Sequence, residues 1–245
     1  STPLYSSAAS DVYKRQGTRF ISAGSNCSTY GQSVFVDGSG NVYLAGTVDW
    51  GATAYPDSFS TTPRYTYGSL YATDAFVIKF NNSLNHIASA IVGGSAGDEG
   101  WTVFVDNLSN IYLGGYSINS SNFSSSNSKF ILGTSGSSDA FVVKFSSNLS
   151  NVLSTAILTS SNSDYVHSIW VDNNGYVYVA GQTFAPSSFV LNDGNPNKYY
   201  YGDGCSYAAF LLKLNNSLSS ALSVAILGQG MFQYNEYGGG RSIFY

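Results

Sequence analysis

The chain has 245 residues and a mass of 26.1 kDa, and only 10% of its residues are charged, against about 25% in ordinary soluble domains. Hydrophobic residues make up 43% and aromatic residues 16%, a composition that excludes a disordered chain. The net charge of −4 disfavours a general nucleic-acid binder. No apolar stretch reaches the ~20 residues of a membrane span. Two cysteines are too few for a zinc cluster or a dense disulfide framework.

The first sixteen residues differ in style from the rest of the chain. Ser1–Gln16 reads STPLYSSAASDVYKRQ, which resembles the in-frame translation of a transposon-based sequencing adapter with its index. We therefore expect 1–16 to be a non-native tail and exclude it from the fold argument. The natural domain is expected to cover 17–245. Because its true N-terminus would then be missing, the absence of a signal peptide carries no information.

Two sequence motifs alternate along the remaining chain. The first motif reads SVFVDGSGNVYLAGT from Ser33, TVFVDNLSNIYLGGY from Thr102, SIWVDNNGYVYVAGQ from Ser168 and SIFY from Ser242. The second motif reads DAFVIKF from Asp74, DAFVVKF from Asp139 and AAFLLKL from Ala208, each followed by an apolar run. Such self-similarity at a nearly fixed period is the signature of a repeat architecture.

Each repeat contains four short runs rich in β-branched and aromatic residues, bounded by Gly, Asn, Asp and Ser, which is typical of strands. No window carries a sustained helical period. In the first repeat the predicted strands are A (Ser33–Val36), B (Val42–Gly46), C (Ala75–Phe80) and D (Ile87–Val92). The A–B and C–D links are tight turns, whereas the B–C link (47–73) is long. Repeated units of four antiparallel strands predict the blades of an all-β propeller.

The pattern V-D-x-x-G-N-x-Y-x-x-G, then D-A-F-V-x-K, then an apolar strand ending in G-G-S, resembles the SBBP-type repeat of seven-bladed β-propellers. The resemblance covers essentially all of Gly17–Tyr245 and implies a secreted or surface protein of a bacterium or archaeon, with no single activity. The chain departs from the pattern in its longer B–C links and in Ala208, where the other copies have Asp. The matching residues are Val36, Asp37, Gly40, Asn41, Tyr43, Gly46, Asp74, Ala75, Phe76, Val77, Lys79 and Gly93–Ser95.

The repeats predict three complete four-stranded blades with partial blades at both ends. A remnant of strand D falls at Arg19–Ala23, and a fourth strand A begins at Ser242. We therefore expect an open arc rather than a ring, with apolar faces exposed at both ends. Its partners would include further blades of the same chain, and 17–245 produced alone should be marginally stable or aggregate.

The long B–C and D–A links emerge at one end of such blades and are rich in aromatic residues. Tyrosine with Ser, Gly and Asn neighbours suits adaptable polar recognition, and loops on a rigid scaffold often carry binding residues. The alternative is that the rings pack the loops onto the blades. The ligand-binding candidates are Trp50, Tyr55, Tyr65, Tyr67, Trp101, Tyr199, Tyr200 and Tyr201.

Four polar residues precede the predicted A strands, near the mouth of a propeller channel. Asp98, Glu99, Asp164 and His167 are candidates for an acid–base or metal site there. The alternative, which we favour, is that the aspartates are solvated loop carboxylates. No catalytic residue is assigned.

Other recurring residues have structural interpretations. Asp37, Asp106 and Asp172 end the A strands and predict Asx-type turns, with Ca²⁺ ligation as the alternative; no other cofactor is expected. Lys79, Lys144 and Lys213 recur in strand C, where each stem should lie on apolar neighbours and each ammonium should pair with a carboxylate. Cys27 and Cys205 are left open between a disulfide and two free thiols. The Asn-X-Ser glycosylation sequons begin at Asn26, Asn81, Asn107, Asn119, Asn122, Asn148 and Asn215.

These observations favour a non-catalytic, extracellular propeller segment of a larger surface or secreted protein. It would bind carbohydrate or protein through the long B–C loops. One alternative is an extracellular polysaccharide-acting enzyme, a lyase or glycosidase, with its site at the channel mouth. Another is a structural component of a surface layer or filament. No nucleic-acid partner and no membrane span within this segment are expected.

Overall fold

The computed structural model describes residues 28–49, 64–68, 73–120, 129–133, 136–189, 197–201 and 206–228. These residues form fifteen β-strands, so the described chain is all-β, as predicted. None of its described segments is a helix long and apolar enough to cross a membrane. The segments outside the description include the predicted tail 1–16, Arg19–Ala23, Cys27, Cys205 and Ser242–Tyr245.

Three sheets repeat one plan of five strands. The first sheet has the order β1-β2-β4-β5-β3 and contains β1 (Ser28–Val36), β2 (Val42–Asp49), β3 (Arg64–Gly68), β4 (Thr73–Phe80) and β5 (His86–Gly93). The second has the order β6-β7-β9-β10-β8 and contains β6 (Asp98–Val105), β7 (Ile111–Ser117), β8 (Lys129–Leu132), β9 (Asp139–Phe145) and β10 (Val152–Leu158). The third has the order β11-β12-β14-β15-β13 and contains β11 (Asp164–Val171), β12 (Val177–Thr183), β13 (Lys198–Tyr201), β14 (Ala208–Leu214) and β15 (Ala221–Leu227).

The prediction of four strands per unit is wrong by one strand. The A, B, C and D strands pair antiparallel in every sheet, as expected. A fifth strand from the long B–C link then pairs parallel with strand D, for example β3 with β5. The link returns to the far edge of the sheet, where strand D would otherwise leave its backbone groups unpaired. We call β3, β8 and β13 the edge strands.

Each A strand starts earlier than its sequence pattern indicates, because a β-bulge interrupts the alternation of side chains. The register shifts at Gln32 in β1, at Trp101 in β6 and at His167 in β11. Side-chain alternation is what identifies a strand in a sequence, so only the part after the bulge was recognisable. Residues that the sequence pattern places in the D–A links therefore belong to strands.

The bulge also explains a glycine that recurs in every B strand. Gly46, Gly115 and Gly181 each pair with the residue just before the bulge. A Cβ atom at any of these glycines would overlap a backbone carbonyl oxygen of the neighbouring A strand. The close approach of two backbones, rather than a turn, requires glycine there. The carbonyl oxygens belong to Tyr30, Glu99 and Tyr165, respectively.

Adjacent sheets pack face to face through two apolar clusters. One cluster joins the first and second sheets and includes Val77, Val103 and Val105. The other joins the second and third sheets and includes Val142 and Ile169. In both junctions strand A of the later sheet lies against the earlier sheet. Each sheet therefore has an entry face, turned toward the preceding sheet, and an exit face, turned toward the following one.

Candidate functional site

The structure divides the predicted binding residues into two groups. Trp101 lies on an A strand, beside Glu99 and His167. Tyr199, Tyr200 and Tyr201 lie on edge strand β13, and Tyr65 and Tyr67 lie on edge strand β3. Trp50 and Tyr55 lie outside the described residues.

The first group is an aromatic cluster that crosses from the second sheet to the third. The Trp101 indole stacks on the His167 imidazole with ring centroids 5.0 Å apart, and on the Tyr165 ring at 5.5 Å. Tyr116 meets both Trp101 and Tyr165 edge to face. Phe184 continues the cluster from Tyr165, and Tyr207 follows at 4.5 Å from Phe184. These six residues form what we call the inner aromatic cluster.

Glu99 fixes the geometry of this cluster. One carboxylate oxygen accepts a hydrogen bond from Trp101 Nε1 at 2.9 Å, and the other accepts one from the Tyr116 hydroxyl at 2.9 Å. Burial and the hydrogen bond to Glu99 raise the pKa of Tyr116 above its ordinary value. Both Glu99 oxygens are thus engaged in holding rings, so this carboxylate serves as an anchor for the cluster.

Sequence reasoning selected Trp101, Glu99 and His167 but did not select Tyr116 or Tyr165 for the site. Tyr165 occupies the strand position of Glu99 in the next sheet, one residue after the aspartate. An alignment of the D–A links of successive repeats would have indicated Tyr165, which follows Asp164 as Glu99 follows Asp98. Tyr116 carried no such signal, because its contact with Glu99 depends on the pairing of β6 with β7.

The expectation that Asp98 and Asp164 are solvated loop carboxylates is wrong. Each is fully buried and is the first residue of an A strand. Asp98 accepts a hydrogen bond from the Gly94 N–H at 2.5 Å, and Asp164 accepts one from the Ser160 N–H at 2.6 Å. Each carboxylate therefore closes the D–A turn that precedes its own strand.

Burial also shifts the titration of these two carboxyl groups. Loss of hydration raises the pKa of Asp98 to about 6 and that of Asp164 to about 7, against the opposing effect of the turn hydrogen bonds. The negative charge of Asp139 adds to the shift of Asp164. Each of these buried carboxyl groups therefore has a structural role in the turn that it closes.

The aspartates at the ends of the A strands are used by their turns. Asp37 Oδ1 accepts hydrogen bonds from the N–H groups of Ser39 and Asn41, and Oδ2 accepts them from Asn41 Nδ2 and the Tyr43 hydroxyl. This turn satisfies the carboxylate without a cation. Among the described residues no group of three or more His, Cys, Asp or Glu side chains is arranged to hold a metal ion. Asp106 and Asp172 accept from the corresponding N–H groups and tyrosine hydroxyls.

Within the described part of the chain, Lys79 and Lys144 donate to carbonyl and amide oxygens rather than to the expected carboxylates. Lys79 Nζ lies 5.4 Å from the centroid of the Tyr43 ring and donates to the Ser147 carbonyl of the second sheet at 3.0 Å. Lys144 Nζ lies over Tyr112 and donates to the carbonyl and side-chain oxygens of Asn216, at 3.2 and 2.5 Å. The ammonium therefore ties one sheet to the C–D turn of the next.

The three predicted binding residues on β13 are exposed. Tyr199, Tyr200 and Tyr201 are 52, 53 and 47% exposed on β13. Because side chains alternate across a strand, Tyr199 and Tyr201 share one face and Tyr200 lies on the other. Lys198 Nζ lies 5.4 Å from the Tyr200 ring centroid. We call the three residues the outer tyrosine strip.

The described sequon asparagines lie in turns and links. Asn81, Asn148 and Asn215 accept backbone hydrogen bonds within their C–D turns. Asn107 donates to Asn173 of the neighbouring sheet, and Asn119 donates to Ser95. Asn26 and Asn122 lie outside the described residues.

Comparison with known families adds one finding. Residues 155–184 match SBBP, the beta-propeller repeat. The matched stretch begins in β10, contains β11 and β12 and ends at Phe184, so it spans the junction at which the inner aromatic cluster crosses. The match supports the repeat type expected from the sequence. No curated protein matches the chain.

Proposed function

We propose that this chain is a non-catalytic, extracellular propeller segment that binds carbohydrate through the outer tyrosine strip. The observation that carries the proposal is the exposure of three consecutive tyrosines, about half of each side chain, on a sheet edge. Large exposed aromatic surfaces mark interaction sites on soluble proteins.

The chemistry of the strip suits sugars. Tyr199 and Tyr201 lie on one face, about 7 Å apart along the strand. The faces of their rings carry partial negative charge, which attracts the polarised C–H groups of a pyranose, while their hydroxyls bond to sugar hydroxyls. An extracellular location is supported by the low charge and by sequons in turns.

A glycan array probed with the full chain tests the proposal. We expect binding to at least one glycan class, and loss of at least about 90% of the signal in Tyr199→Ser/Tyr201→Ser, which corresponds to more than about 1.4 kcal/mol. Tyr200→Ser, on the opposite face of the same strand, is the matched control and should retain binding.

Two results would contradict the proposal. One is equal binding by the double variant and the wild type. The other is attachment to cell surfaces that persists after the glycans are removed and disappears after protease treatment, which would make the ligand a protein.

A further inference from the structure

A groove opens between the second and third sheets, at the end that carries the A–B and C–D turns. Its volume is about 680 Å³, which falls within the range of small-molecule sites. One wall belongs to the second sheet and includes Phe130 of β8, Lys144 of β9 and Leu153 of β10. The opposite wall is the C–D turn of the third sheet, with Asn216 and Ser217. Neither the inner aromatic cluster nor the outer tyrosine strip contributes to this lining.

The Lys144 ammonium brings a positive charge to the groove. Two of its three N–H groups donate to the carbonyl and side-chain oxygens of Asn216, and no oxygen among the described residues takes the third. Loss of hydration lowers the pKa of Lys144, and the negative charge of Asp106 opposes that shift. The Asp106 oxygens accept hydrogen bonds from Asn110 and Tyr112 and form no ion pair with the ammonium. A negatively charged group in the groove would therefore meet a cation that has a donor left.

Ser154 adds a hydroxyl group to the same wall. The residue lines the groove, is only 3% exposed, and its Oγ makes no hydrogen bond within the described part of the chain. Ser154 pairs with Lys144 across β9 and β10, so the two side chains lie on the same face, which is turned toward the third sheet. A buried hydroxyl without a partner is destabilising. The first sheet has Ala88 at the equivalent position, so the fold itself does not require a hydroxyl there.

An apolar surface lies beside these two polar groups. Phe130 is partly buried, and Leu153 is 45% exposed at the bulge of β10. The face of an aromatic ring attracts the polarised C–H groups of a sugar ring, whereas an ammonium forms its strongest hydrogen bonds with a carboxylate or another anion. A ligand that satisfies both carries a carboxylate on a ring that has an apolar face and hydroxyl groups.

We propose that this groove binds the uronic acid unit of an acidic saccharide. Lys144 donates to the carboxylate, the Ser154 hydroxyl donates to a second ligand oxygen, and the sugar ring lies against Phe130. The polar groups of Asn216 and Ser217 on the opposite wall face the sugar hydroxyls. This site goes beyond the proposed function and does not depend on it, because the outer tyrosine strip lies on β13, outside the groove.

Titration of the full chain with methyl β-glucuronide and methyl β-glucoside, followed by ligand-observed NMR, tests the proposal. The two glycosides share a ring and differ in the carboxylate. We expect a Kd on the order of 1 mM for the glucuronide, as for a ligand of this size, and binding of the glucoside at least about tenfold weaker. Tyr199→Ser/Tyr201→Ser should retain this preference, which separates the groove from the outer tyrosine strip.

Two lysine variants test the role of the charge. Lys144→Met should reduce binding of the glucuronide to the level of the glucoside. Lys213 occupies the same position of the third sheet, where its Nζ lies over the rings of Tyr176 and Tyr178. Lys213→Met is therefore the matched control and should retain the preference for the glucuronide.

Ser154→Ala separates binding from folding. We expect it to weaken binding of the glucuronide about threefold to tenfold without lowering the stability of the chain, because alanine occupies the equivalent position of the first sheet. Equal binding of the two glycosides, no binding of the glucuronide up to about 20 mM, equal losses in the two lysine variants, or unchanged binding by Ser154→Ala would overturn the proposal. Sulfate that binds as tightly as the glucuronide would also overturn it, because the groove would then recognise a bare anion.

Discussion

The aspartates that begin the second and third A strands show how a single residue can be misjudged. Asp98 and Asp164 stand among Gly, Ser and Asn, which is typical of a solvated link. In the structure both are buried and each accepts a turn N–H. A carboxylate that closes a turn in the interior gains a hydrogen bond and loses hydration, and the pKa values show that the lost hydration is the larger effect.

This burial makes stability depend on pH. An unfolded aspartate titrates near 3.9, whereas the folded groups titrate at about 6 and about 7. Between these values the folded protein binds more protons, so its stability is greatest below about pH 4 with respect to these groups and falls as the pH rises to about 7.

Asparagine at either position should remove the loss of stability that accompanies the rise in pH. Its amide oxygen still accepts the turn N–H, and the side chain carries no charge to be buried. We expect Asp98→Asn and Asp164→Asn each to gain stability relative to the wild type between pH 4 and pH 7, on the order of 2 kcal/mol. Urea unfolding at a series of pH values measures this. Asp49→Asn, at an exposed aspartate, controls for the loss of one negative charge, and a constant difference between variant and wild type across the pH range would refute the prediction.

Gly115 lies where the backbones of β6 and β7 approach most closely. Its Cβ position overlaps the Glu99 carbonyl oxygen, so alanine would force β7 away from β6, the strand that carries Glu99 and Trp101. We expect Gly115→Ala to lower the free energy of unfolding by at least about 2 kcal/mol and to change the near-ultraviolet signal of Trp101. Gly38→Ala, where a Cβ meets nothing within 4 Å, should change neither measurement.

At the scale of the elements, the same polar link between neighbouring sheets recurs, and we call it the tie. It consists of a turn aspartate, a B-strand tyrosine and a C-strand lysine. The A–B turn aspartate accepts from a B-strand tyrosine, and the C-strand lysine covers that tyrosine ring. The lysine then reaches the C–D turn of the next sheet. Polar residues thus fix the relative position of neighbouring sheets, which apolar packing alone leaves free to slide.

Removal of the tie should matter only where its acceptor is present. Lys144→Met keeps the apolar stem but deletes two hydrogen bonds to Asn216, and we expect a loss of about 1 kcal/mol in the free energy of unfolding. Lys213→Met, at the same position of the third sheet, should lose clearly less. Equal losses for the two variants, measured by urea unfolding, would show that the acceptor is irrelevant.

For the whole molecule, three sheets are held together by two contiguous apolar clusters. Such an array is stabilised mainly by contacts between neighbours.

The sequence alone determined the all-β class, the repeat, the A to D strands and the turn aspartates. These depend on local signals, namely alternation, turn residues and self-similarity, which a linear pattern carries. The sequence did not reveal the part of each A strand that lies ahead of the bulge, because the bulge at Trp101 and its equivalents breaks the alternation of side chains.

Only the tertiary structure decided the rest. The edge strands pair parallel with strand D, and a parallel partner has no short-range signature in the sequence. The meeting of Trp101 with Tyr165 and His167 depends on how two sheets pack. The burial of Asp98 and the exposure of Val34 likewise depend on which segment covers each side chain. Equivalent residues of successive repeats share a sequence pattern but differ in burial, because burial is a property of packing.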